Sequence, residues 1–206
     1  MSKNDYGNHK LISIFNQISD LVVLNLLFVI SCIPVVTIGA SLCSIFTVIF
    51  ERMKNPDTYI WKTYLNAFKK NLKQGTLLWL MVLAVFGILY ADMRILSSVK
   101  NGAVGIMNII LAVFLLLVIL MVIYVFPLQA RCPGKIKMLL KNSLFISIAY
   151  LPYSLLMLVI FVICVVITFW NAGLLQEMIF IWLLCGFSAM ACLQAKIING
   201  LLDKIQ

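Results

Sequence analysis

Apolar positions along this chain gather into long unbroken runs, with no sustained alternation of apolar and polar residues. Residues 20–50 read DLVVLNLLFVISCIPVVTIGASLCSIFTVIF, broken only around Pro34 and Gly39. Further runs cover 74–96, 105–128, 143–170 and 178–198, the third of these interrupted at Pro152. A helix needs about 20 apolar residues to cross a bilayer, and these runs are of that order. The pattern predicts an all-α fold. It is a polytopic transmembrane helical bundle of five or six membrane segments, organised as a single integral membrane domain over 1–206.

The break inside the first run decides the count. Pro34 removes a backbone donor and disfavours helix at Ile33, and Gly39 can take backbone angles closed to other residues. Residues 40–50 alone are short for a crossing. Two readings fit. Residues 18–50 form one long kinked helix, or they form a helical hairpin with its turn near the outer surface.

Three stretches have a different pattern. Residues 1–10 are a polar tail, and 11–19 place Leu11, Ile14, Phe15 and Ile18 on one helical face as a lead-in to the first span. In 58–73, Ile60, Trp61, Tyr64, Leu65, Phe68 and Leu72 recur at helical spacing opposite Lys62, Asn66, Lys69 and Lys73. That reads as a basic helix lying in the inner membrane interface. Residues 131–142, with Arg131 and Lys135, form a second basic segment on the same side.

Composition supports lipid as the main solvent. Hydrophobic residues make up 64% of the 206 residues and charged residues 11%, too few charges to cover a water-soluble core of this size. The net charge of +9 sits in loops without a basic soluble module, so nucleic acid is not an expected partner; anionic lipid head groups are. Cytoplasmic loops retain lysine and arginine. The hairpin reading, with both termini cytoplasmic, leaves only Arg94 and Lys100 outside, whereas the kinked-helix reading also moves Lys3 and Lys10 outward. The positive-inside rule therefore favours the hairpin.

Little in the chain points to chemistry. His9 is the only histidine and the six cysteines contain no C-x-x-C pair, so no metal or other cofactor is expected. No nucleophile elbow or phosphate-binding glycine loop occurs, and the chain is read as not an enzyme. Asp20 enters lipid at the start of the first span, where acidic groups are costly unless paired or functional. Asn25 lies deeper and suits a bond between helices. With Thr37 and Gly39 at the break they make a candidate polar path or packing site. Lys62, Lys69, Lys70, Lys73, Arg131 and Lys135 are candidates for lipid or partner contact.

DLVVLNLLF at 20–28, PVVTIGAS at 34–41, YIWKTY at 59–64 and FKKNLKQ at 68–74 resemble the YesL family of small bacterial membrane proteins of unassigned function. The resemblance implies a bacterial cytoplasmic membrane location. By association, it also implies a part in carbohydrate uptake beside ABC-type sugar transporter subunits. The resulting expectation is a noncatalytic accessory or scaffold subunit that self-associates or binds such subunits. The alternative is a small transporter or channel for a small solute.

Overall fold

The computed structural model describes the backbone of residues 3–97, 104–170 and 172–202, and the side chains of 17–96, 105–170 and 177–201. Every regular element among the described residues is helical. In chain order they are α1 (Lys3–Cys32), a 3-10 turn (Val35–Thr37), α2 (Ile38–Lys54), α3 (Ile60–Ser97), α4 (Val104–Arg131), α5 (Ile136–Ala149), α6 (Leu151–Phe169), α7 (Ala172–Ile181), a π segment (Trp182–Gly186) and α8 (Phe187–Leu202). Among the described residues, five stretches are long and apolar enough to cross a membrane: Val35–Lys54, Ile60–Leu96, Gly105–Arg131, Leu151–Phe169 and Glu177–Leu201. The chain is a helical membrane protein.

The first run folds as a hairpin. A continuous helix through 18–50 and onward would hold Asp20 and Arg52 about 48 Å apart. Instead the two side chains form an ion pair, so α1 and α2 run antiparallel. The turn is built by Pro34, whose carbonyl accepts the Thr37 N–H at 2.9 Å. Gly39 then lies against Gly75 so closely that a Cβ on Gly39 would stand 2.2 Å from the Gly75 carbonyl oxygen. The turn thus leans on the middle of α3. That helix continues from Gly75 to Ser97, about 33 Å further.

Several boundaries differ from the sequence expectation. Residues 58–73 are not a separate surface helix but the first part of α3, continuous with the span that follows. Ile60 and Tyr64 are buried under the hairpin, while Trp61 and Leu65 stay exposed. Half of the apolar stripe therefore faces protein, because α2 occupies the surface that lipid was expected to cover. α4 runs through Pro127 to Arg131, past the end of the 105–128 apolar run. Residues 143–170 are two helices parted at Tyr150, with Pro152 in the first turn of α6, where its missing N–H costs nothing. The stretch between the 143–170 and 178–198 apolar runs is helical from Ala172. Lys100, Asn101, Asn171 and Lys204 lie outside the described residues, as do the side chains of the polar tail and of 11–16 in the lead-in.

The core centres on α2. Its buried face runs Gly39, Ala40, Ser41, Cys43, Ser44, Phe46 and Val48. The Ser41, Ser44 and Thr47 hydroxyls donate to carbonyls one turn back, at 3.0, 2.6 and 2.8 Å. Those bonds let small polar residues sit between helices without an external partner.

Candidate functional site

The hairpin carries the four residues singled out in the first run, and each has a partner. Asp20 pairs with Arg52 at the open end, in a cleft of about 330 Å³ that Lys196 also lines. Both members are a little over a quarter exposed. The acidic group expected to enter lipid is thus neutralised by Arg52, in the last turn of α2.

Asn25 is fully buried and holds the last span. Its Nδ2 donates to the carbonyls of Trp182 (2.9 Å) and Leu183 (2.7 Å), and its Oδ1 accepts the Ser188 N–H at 3.0 Å. Ser188 Oγ stands 2.9 Å from the Leu21 carbonyl. These carbonyls lie in the π segment, where the helix ladder is locally out of step. The Trp182 indole folds over Gly186 and donates to Thr168 Oγ1 at 2.9 Å, tying the segment to α6. Asn25 therefore works as an inter-helix clamp.

Thr37 and Gly39 also serve packing. The Thr37 hydroxyl stands 2.7 Å from the Ser31 carbonyl and 2.8 Å from that of Pro34, closing the turn. Ser31 Oγ lies 2.6 Å from the Leu27 carbonyl, so it is the Tyr64 O–H that donates to Ser31. These bonds fasten the turn to α3. The four residues do not converge on one polar path.

The basic group divides in two. Lys62, Lys69, Lys70 and Lys73 are exposed along the first part of α3, and Lys135 is exposed ahead of α5. Arg131 instead lies over the Phe50 ring, 5.9 Å from its centroid, and bonds to Asn199, linking α4 to α2 and α8.

Three features were not singled out from the sequence. Asn71 on α3 and Gln129 on α4 are buried and bonded to each other at 3.4 Å, at the floor of a polar cleft of about 220 Å³. Trp79 packs inward on Phe126 beside an apolar cavity of about 300 Å³. Gly75 receives the hairpin. The signal for Gln129 is its position, the first amide after the apolar run of α4. No group of three or more candidate metal ligands occurs among the described residues.

Residues 21–93, the hairpin and most of α3, match the family described as "Protein of unknown function, DUF624". The chain is 29% identical over 142 residues to the uncharacterized protein YesL of Bacillus subtilis (strain 168), across 68% of this chain and 66% of that one. It is 28% identical over 116 residues to the uncharacterized protein YteU of the same organism, across 56% of this chain and 52% of that one. The chain spans less than two thirds of either relative's length. No solved structure matches. The likeness to the YesL family expected from residues 20–74 is met.

Proposed function

We propose that this chain, a helical membrane protein similar to the YesL family, is a noncatalytic accessory or scaffold subunit of the bacterial cytoplasmic membrane. In this reading both termini and the lysine-bearing ends of α3 and α5 face the cytoplasm. The observation behind it is the division of labour among polar side chains. Asn25, Thr37, Ser188 and Tyr124 bond between or across helices, which is packing work. Lys62, Lys69 and Lys73 point away from the bundle, where they suit an acidic partner surface and anionic head groups. Carbohydrate uptake is assigned by association, with ABC-type sugar transporter subunits as the partners.

The test is crosslinking in native membranes with Lys62, Lys69 and Lys73 all changed to Glu. Partner crosslinks through α3 fall at least tenfold while thermal unfolding in detergent stays unchanged. Crosslinking at wild-type level would overturn the reading.

A further inference from the structure

Where α3 and α4 leave their apolar runs, they share a polar cleft with α2. On α3, lysines recur up to Lys73 and the helix is then apolar from Leu77 to Tyr90 apart from Gly87. On α4 the apolar run ends at Leu128 and Gln129 follows. Asn71 and Gln129 meet at this change of character on both helices, which is head-group level for a membrane protein.

The cleft's amide orientations are set by its own bonds. Asn71 Nδ2 donates to the Ala67 carbonyl at 3.0 Å, so Asn71 presents its Oδ1 to Gln129, and Gln129 answers with Nε2. Gln129 Oε1 is left without a partner although the residue is only 2% exposed. A buried acceptor of this kind calls for a donor. Glu51 and Lys70 stand at the rim, both exposed, and no ion pair joins them to each other. The Thr47 hydroxyl donates to Cys43, leaving its oxygen lone pairs toward the cleft.

We infer that the cleft between α2, α3 and α4 binds a group carrying a primary ammonium beside a phosphate, as in a phosphoethanolamine lipid head group. The ammonium has three donors, enough for Gln129 Oε1 and the Glu51 carboxylate together. The phosphate meets Lys70. A choline head group has no N–H and leaves Gln129 unmet. An anionic head group such as phosphatidylglycerol offers Gln129 only neutral hydroxyl donors, brings no positive charge for Glu51, and is repelled by it.

The test uses the whole protein in nanodiscs containing equal phosphatidylethanolamine and phosphatidylcholine, with retained lipid read by native mass spectrometry. Phosphatidylethanolamine is retained roughly tenfold over phosphatidylcholine, the scale of one charge-assisted hydrogen bond. Gln129→Leu abolishes the preference. Glu51→Gln, on an exposed rim position, lowers it several-fold and keeps the test valid if the buried variant fails to fold. A second arm adds free phosphoethanolamine to protein in phosphatidylcholine discs. A rise in thermal stability that depends on Gln129 assigns the same chemistry to a soluble source. Equal retention of both lipids with no response to phosphoethanolamine overturns the inference, and so does a preference that survives both substitutions.

Discussion

α2 and α4 solve opposite problems. Gly105–Arg131 is the most apolar of the candidate spans, yet only 22% of its apolar window is buried within the protein. Val35–Lys54 is the least apolar, and 56% of it is buried. In water the ranking would run the other way. In lipid, hydrophobicity gives no reason for helices to associate, because acyl chains are as apolar as leucine. Close approach and satisfied polar groups provide that reason. α2 supplies both with Gly39, Ala40, Ser41 and Ser44, while the far part of α3 and the near part of α4 expose Ile88, Ile106, Ile110 and Phe114.

The comparison breaks most severely at the Gly39–Gly75 contact. Gly39→Val puts a side chain where backbone already stands, and no rotamer relieves it. Reversible unfolding in mixed micelles should show a loss of about 3 kcal/mol or more. Asn25→Leu comes next. It keeps the volume and strips partners from two carbonyls and one N–H of the last span. The same assay should register about 2 kcal/mol. Phe114→Ala, on the face turned to lipid, should cost less than about 0.5 kcal/mol despite removing more apolar surface than either. A large loss at Phe114 together with a small one at Gly39 would mean that hydrophobicity, after all, organises this bundle.

Much of the architecture was legible because lipid makes hydropathy a direct readout of crossing segments. The hairpin was legible through charge: its two ends carry Asp20 and Arg52, and the basic count put those ends on one side. Helix continuity was harder to read. Residues 58–73 look like a surface helix from their stripe, and nothing local announces that α2 covers half of it. Pro127 does not end α4, since a proline inside a packed membrane helix can have its lost bond made good by neighbours. The candidate residues of the hairpin were legible as polar atoms in an apolar run, but their roles were not. Asn25 is matched to carbonyls more than 150 positions away, a pairing that only the fold creates. Gln129 escaped notice because an amide at the end of a span looks like ordinary boundary polarity.

The π segment sets a phase. Each α-helical residue advances about 100° around the axis, and a π turn carries one residue more than the α turn it replaces. Ala191, Ala195 and Ile198 face the bundle along one line of α8. Across Trp182–Gly186 that line is displaced by about one residue's rotation. The last span is therefore a rod whose two parts are set out of phase at the π segment. Were the extra residue absorbed, one part of the rod would turn against the other and exchange the side chains it shows to lipid and to protein. Asn25, on α1, bonds to the π segment and to Ser188 just beyond it, and so holds both sides of that offset in place.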